Sequence, residues 1–257
     1  MPTSPWKFTT IERDGPVAIV RFDRGEALNA FNEPLVRELT EVAKSFHDDH
    51  ETRAIVLTGA AKAFSAGADL KEAYGAVGFA NQRERSQLGR RLCRAWEETP
   101  QIVTAAIEGL AVGAGVALAI SCDWRVMGRS AYLYVPEVKI GLTLQWQAIP
   151  RLLNLVNPAR AKRIVVLCEK MPADMAHDWG LVDELADDGK AVEKALELAR
   201  AAAAMPGEIV TMSKEAINAT ANAFNHAASF MDSDLSLLCR DADPAVAARE
   251  AFRSGNR

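Results

Sequence analysis

The feature that most constrains this chain is a change of hydrophobic period along its length. Up to about residue 157, short apolar runs alternate with amphipathic helical stretches; beyond it, only helical stretches follow. Pro16–Phe22 reads as a strand, Ala54–Thr58 as a short buried strand closed by Gly59, and Ile102–Ile107 and Trp124–Met127 as further strands. Between them, Pro34–Asp48 places Leu35, Leu39, Val42 and Phe46 on one helical face. The Arg-rich stretch Asn81–Glu98 is a second helix, ended by Pro100. Alternation of this kind belongs to layered α/β folds. The later helical stretches are Pro158–Cys168, Pro172–Trp179, Lys190–Ala204, Pro206–Thr220, Phe224–Asp241 and Pro244–Phe252. Pro158, Pro172, Pro206 and Pro244 stand near first turns, where a missing N–H costs nothing. The expected organisation is a core over residues 1–195 and a helical appendage over 196–257, suited to cover the core or to bury against another subunit.

At 257 residues the chain can bury roughly three quarters of its unfolded surface, so it needs no covalent or metal staple. Cys93, Cys122, Cys168 and Cys239 are scattered with no Cys-x-x-Cys, so neither a disulfide framework nor a metal site is expected. Lys and Arg number 30 against 34 acidic residues, a net charge of −4 that argues against a partner such as nucleic acid or an anionic membrane. The first residues show no apolar run after a basic segment, and Leu110–Cys122 is too short to cross a bilayer of ~30 Å. The expected compartment is the cytosol.

Three segments have the composition of a ligand site. In Gly59–Leu70 a strand empties into small residues, and Asp69 then opens a helical stretch. Small side chains let a ligand approach the backbone, and free N–H groups there bind anions, although a plain strand-to-helix connection has the same composition. A nucleophile elbow around Ser65 fails, because position 63 is Ala rather than Gly. His47, His50, His177 and His226 lie in helices or at their ends, and none has the setting of a catalytic base. In Gly109–Asp123 the chain again passes from a strand, Ile102–Ile107, into a small-residue loop that starts an apolar helix. It has neither the dinucleotide fingerprint nor a P-loop, which leaves a helix N-terminus with unpaired N–H groups or tight helix–sheet packing. In Tyr132–Leu142, Glu137 follows a proline between apolar and aromatic residues. Desolvation there raises a carboxyl pKa and suits it to acid/base work; a solvent-facing loop glutamate is the plain alternative.

Taken in order, these segments resemble the crotonase superfamily, the enoyl-CoA hydratase/isomerase group, over most of the chain. The residues that carry the resemblance are Ala27-Leu-Asn-Ala30, Ala63-Phe-Ser-Ala-Gly-Ala-Asp-Leu70, Gly109–Asp123, Pro136-Glu137 with Ile140-Gly-Leu142, Ala176–Val182 and Pro206–Lys214. The resemblance implies a spiral of ββα units with a C-terminal helical region, assembled as a trimer or dimer of trimers. It also implies an acyl-CoA thioester substrate, with coenzyme A entering as part of that substrate and no other cofactor. The backbone N–H groups of Ala66 and Ala114 would hold the thioester oxygen, although many members carry glycine where Ala114 stands. Ala27, Leu28, Ser65, Asp69, Leu70 and Gly113 would touch the CoA ester, with Ala117, Gln145 and Trp146 lining the acyl pocket.

The departures from the family pattern bear on the reaction. Hydratases of the group commonly use two glutamates; Glu137 holds the second position, and the first is Ala117. One base suffices to shift a double bond, so isomerisation is slightly favoured over hydration by Glu137 alone with water held by backbone or Gln145. A non-catalytic acyl-CoA binder is the alternative of another class. Gln145 stands where dienoyl-CoA isomerases and dehalogenases of the superfamily place an aspartate, so neither of those chemistries is supported. Trp146 would favour a flat or short acyl group if it lines the pocket rather than only packing.

Overall fold

The computed structural model describes residues 5–70 and 79–253. In chain order its elements are β1 (Thr9–Asp14), β2 (Val17–Phe22), α1 (Glu33–Ser45), β3 (Ala54–Thr58), α2 (Phe79–Glu97), β4 (Ile102–Ile107), β5 (Leu110–Val112) and α3 (Ala114–Ala119). There follow β6 (Trp124–Gly128), β7 (Tyr132–Tyr134), α4 (Ala148–Leu155), α5 (Pro158–Val166), β8 (Met171–Pro172), α6 (Ala173–Asp178) and β9 (Glu184–Ala186). The chain ends in α7 (Ala191–Ala203), α8 (Gly207–Ala221), α9 (Asn225–Ser229), α10 (Asp232–Arg240) and α11 (Asp243–Arg253).

The main sheet has the order β1-β2-β3-β4-β6-β9, parallel throughout except for the β1–β2 hairpin at its edge. A parallel strand buried on both faces reads as one continuous apolar run, which is why Ala54–Thr58 was legible. A small sheet, β5-β7-β8, lies beside it and is joined to the loop after β3 by a bridge between Ser65 and Ala111. Local chemistry starts the helices as the sequence suggests. Asn32 accepts the Leu35 N–H at the head of α1, and Asn157 accepts the Arg160 N–H at the head of α5.

One face of the main sheet packs on α1, α2 and α3 through Phe22, Phe31, Leu39, Phe64 and Trp96. The other face is covered by α7, whose Ala191, Ala195, Ala199 and Ala203 recur every four residues and pack with Val17, Val56, Ala106 and Val126. Methyl side chains at that spacing let the helix axis approach the strands closely. The expected boundary near residue 195 falls inside this helix.

Several elements differ from the sequence reading. β1, β7 and α4 have no counterpart in the sequence reading, and β5 is a three-residue strand where that reading has loop. β8 and β9 interrupt the half read as wholly helical, and β9 is the last strand of the main sheet. The stretch Phe224–Asp241 breaks at Phe230–Met231 into α9 and α10. The helical stretch expected after Asp69 runs beyond Leu70, outside the described residues, as do the last four residues of the expected appendage.

The C-terminal helices are tied to the core by specific contacts. Lys214 of α8 donates to Asp123 Oδ2 at 2.6 Å and to the Gln101 carbonyl at 2.8 Å. Arg83 of α2 pairs with Asp234 of α10 at 2.8 Å. Among the described residues, no helix is long and apolar enough to cross a membrane.

Candidate active site

Two loops leave β3 and β5 side by side. Ser65 N–H donates to Leu110 O at 3.1 Å and Val112 N–H to Ser65 O at 2.9 Å, so the loops are locked backbone to backbone. Gly67, at φ +90°, fits this approach: a Cβ on it would lie 2.7 Å from Val112 O. Two peptide N–H groups are left over. Ala114 is the first residue of α3, where no intrahelical acceptor exists. The peptides flanking Ala68 pair with Phe31, whose N–H donates to Gly67 O at 2.7 Å and whose carbonyl accepts the Asp69 N–H at 2.9 Å. The Ala68 N–H is thereby left with no acceptor among the described residues. Ala68 and Ala114 both line one cavity of about 200 Å³.

Ala66 does not fit the donor role expected of it. Its N–H already donates to the Leu28 carbonyl at 3.0 Å, an exchange set up by the left-handed turn Ala27-Leu28-Asn29. The fixing group in that turn is Asn29, whose amide donates to the carbonyls of Phe22 and Phe64 at 3.0 and 2.9 Å. The free donor is two residues further on, at Ala68.

Glu137 enters the same cavity from the turn that follows β7. The residue is half-buried, but its Oε2 is fully buried with no hydrogen-bond partner among the described residues. Its Oε1 lies against the Cα of Gly113, where a Cβ would come within 2.5 Å of it. Gly113 is therefore required twice, by φ +50° and by the carboxylate on its face. Burial pushes the Glu137 carboxyl up to about 7, opposed only in part by its own backbone N–H. A carboxylate so placed is half-ionised near neutrality, the condition under which it both takes and returns a proton.

The opposite wall is the segment Leu142–Gln147. Trp146 and Gln147 have φ of +63° and +57°, which side chains of this kind rarely adopt. Buried Arg151 holds them there: it donates to the carbonyls of Trp146 and Gln147 and forms a two-pronged pair with Glu97 at 2.7 and 2.8 Å. From α10, Asp232 accepts the Gln147 N–H at 2.7 Å and Ser236 accepts the Gln145 amide at 2.6 Å. The Trp146 indole lies on Gly89 of α2, where a Cβ would overlap the ring. Trp146 and Gln145 separate the Glu137 cavity from a second one of about 210 Å³ between α2 and α10.

A family model described as enoyl-CoA hydratase/isomerase matches residues 12–243. The chain belongs to that family. It is a crotonase-superfamily enzyme, with the spiral α/β fold that the resemblance implied. The chain is 34% identical over 209 residues to the short-chain-enoyl-CoA hydratase of Clostridium acetobutylicum, covering 81% of this chain and 80% of that one. It is 37% identical over 186 residues to a probable enoyl-CoA hydratase of Mycobacterium bovis, covering 72% and 74% of the two chains. Among solved structures, an enoyl-CoA hydratase/isomerase from Mycobacterium paratuberculosis superposes with a TM-score of 0.87 at 25% identity, over 96% of this chain and 99% of that one.

Within this crotonase fold the sequence-picked residues divide. Glu137, Ala66, Ala114, Gly113, Ala117, Leu70, Gln145 and Trp146 line the Glu137 cavity together, Ala66 with its N–H already engaged. Ser65 is fully buried, its Oγ accepting the Gly67 N–H at 3.1 Å, and it lines neither cavity. The Asp69 carboxylate pairs with Arg24 at 2.6 Å, and the residue lines only the second cavity. Ala27 and Leu28 lie on an exposed turn and line neither cavity. Sequence reasoning missed Ala68, Gly89, Asn29 and Arg151. The signal for Ala68 was present in the small-residue run; for Arg151, more than fifty residues from Glu97, there was none.

Proposed function

We propose that this enzyme moves a proton at the α-carbon of an enoyl-CoA thioester, with Glu137 as the acid/base and the N–H groups of Ala68 and Ala114 holding the thioester oxygen. The observation that carries the reading is the Glu137 carboxyl, whose buried Oε2 has no partner among the described residues, in a cavity also lined by two residues, Ala68 and Ala114, whose backbone N–H groups have no acceptor among them. Glu137 takes a proton from C2 of a 3-enoyl ester. The C–H electron pair delocalises into the thioester, whose oxygen becomes the oxyanion that preorganised N–H groups stabilise. The same carboxyl then returns the proton to C4, leaving the conjugated 2-enoyl ester. Among the described residues no other carboxylate lines the cavity, and Ala117 offers only a methyl, which favours this double-bond shift.

Hydration of a 2-enoyl ester is the second reading, favoured by the relatives in Clostridium acetobutylicum and Mycobacterium bovis, which are named as a short-chain-enoyl-CoA hydratase and a probable enoyl-CoA hydratase. Coenzyme A enters as part of the substrate in either case, and neither reaction calls for a metal or redox cofactor. Beyond the cavity, the Ala27–Leu28 turn is the proposed seat of the CoA portion. The exposed Ile209, Met212, Ile217 and Leu238 of α8 and α10 support a trimer or dimer of trimers, in a cytoplasmic setting.

The test follows the ultraviolet band of the conjugated thioester with 2-enoyl- and 3-enoyl-CoA esters of several lengths. Gain from the 3-enoyl ester marks isomerisation, loss from the 2-enoyl ester marks hydration, and no change with either makes the chain a binder. Glu137→Gln lowers turnover ~10²–10⁴-fold and leaves CoA-ester binding in place. Undiminished turnover in that variant overturns the assignment.

A further inference from the structure

Hydration needs a group to hold water, and the residue in the position of the family's other glutamate, Ala117, has only a methyl to offer. Gln145 has an amide N–H committed to Ser236 Oγ at 2.6 Å, which ties that side chain to α10. Glu137, however, is not the only side chain of this cavity with a buried polar atom lacking a partner. Thr143 lines it too, and its Oγ1 is buried with no hydrogen-bond partner among the described residues. A buried hydroxyl left unsatisfied costs about 1–3 kcal/mol, so such groups are rare unless water or a ligand completes them. The two residues that carry such atoms, Thr143 with Oγ1 and Glu137 with Oε2, line one cavity of about 200 Å³, a volume with room for a water beside a substrate.

We infer that Thr143 holds the water that adds to a 2-enoyl-CoA ester, sharing it with Glu137 and giving this site the second polar group that Ala117 lacks. The inference rests on Glu137 being the acid/base. The Thr143 hydroxyl accepts one hydrogen of the water, and the Glu137 carboxylate accepts the other. As Glu137 takes its proton, the oxygen bonds to C3, and the C2–C3 π pair moves into the thioester to give the oxyanion held by Ala68 and Ala114. Glu137 returns the same proton to C2, so one water is added and the carboxylate is restored. The double-bond shift involves no water, so Thr143 separates the two reactions.

The experiment compares Thr143→Val and Thr143→Ser with the unmodified protein, measuring hydration of a 2-enoyl-CoA and isomerisation of a 3-enoyl-CoA of equal length. Valine keeps the shape and removes the hydroxyl. The ratio of hydration to isomerisation is expected to fall about tenfold in Thr143→Val, the worth of one neutral hydrogen bond, and to recover in Thr143→Ser. Because the hydroxyl has no partner among the described residues, the melting temperature of Thr143→Val is expected to equal or exceed that of the unmodified protein. An unchanged ratio, an equal loss of both activities, or failure of serine to restore the ratio overturns the inference. So does a fall in the ratio on Tyr134→Phe in place of Thr143→Val, since among the described residues Tyr134 carries the other hydroxyl in the cavity wall. An unmodified enzyme that isomerises without hydrating also overturns it while leaving the Glu137 reading intact. Loss of neither activity on Glu137→Gln removes that reading itself.

Discussion

The wall formed by Phe64–Asp69 and Val112–Ala117 is held by peptide groups, whereas the wall formed by Leu142–Gln147 is held by side chains arriving from three helices. In the first, Ser65 pairs with Leu110 and Val112, and Ala68 is fixed by the pairing of its neighbours with Phe31. In the second, the contacts come from Glu97 on α2, Arg151 on α4, and Asp232 and Ser236 on α10. The difference separates two tasks. Backbone donors that must not move are set in a sheet-like framework, where reorganisation at the moment of reaction is least. The wall facing the variable part of the ligand hangs on side chains, and can be exchanged without disturbing the donors.

Breaking the side-chain wall should cost the most in stability. Arg151→Met leaves Glu97 half-buried without its partner and releases the left-handed turn at Trp146–Gln147, an expected loss of about 3–5 kcal/mol by urea denaturation. The double variant Arg151→Met with Glu97→Gln should recover part of it. A loss below about 1 kcal/mol would mean that the turn stands without the pair.

Gly113→Ala attacks the backbone wall where it meets Glu137. The added methyl needs the space occupied by Glu137 Oε1, and the required φ of +50° is strained for alanine. Displacing the carboxylate by about 1 Å should lower kcat/KM ~10²-fold, seen in steady-state kinetics. An effect within about threefold would show that Glu137 has slack at this contact.

Removing the partition between the cavities is a smaller change. Trp146→Ala joins the cavities of about 200 and 210 Å³ and should shift preference toward longer acyl chains. The expected gain is about fourfold in kcat/KM per added methylene, from ~0.8 kcal/mol of burial each. Gly89→Ala, which pushes the indole off its seat, should change the same profile without touching the donors.

The smallest effect expected is on stability and depends on pH. The folded-state pKa of Glu137 is raised by burial to about 7 from an ordinary 4.5, so the folded state binds the proton more tightly than the unfolded state. Its penalty is absent below about 4.5, grows through about 7 and is full above it. Glu137→Gln should therefore raise the melting temperature at pH 8 and leave it nearly unchanged at pH 4. A rise of equal size at both values would contradict the shift.

The same contrast explains what the sequence made legible. The first wall follows from local runs: a buried strand, small residues, then a helix start, with period and composition visible within twenty residues. Even there the N–H without an acceptor among the described residues lies two positions beyond the one expected. Which N–H is free depends on the pairing of Gly67 and Asp69 with Phe31 and of Ala66 with Leu28, and nothing in the run itself records those partners. The second wall was legible only as a list of residues. Arg151 is 54 residues from Glu97, Gln147 is 85 from Asp232 and Gln145 is 91 from Ser236, separations that no local pattern encodes. The C-terminal helices were expected to cover the core or another subunit, and α10 and α11 do reach the site, with Ala245 of α11 packed on Gly141 just beyond Glu137.

The central claim is that Glu137 exchanges a proton with the α-carbon of a thioester held by Ala68 and Ala114. Its most direct measurement is deuterium entering C2 of a bound acyl-CoA ester in heavy water, followed by mass spectrometry, which needs neither hydration nor a completed double-bond shift. The unmodified enzyme should incorporate deuterium with an acid limb near pH 7, and Glu137→Gln should bind the same ester and incorporate essentially none. Incorporation by the glutamine variant at the unmodified rate would contradict the account.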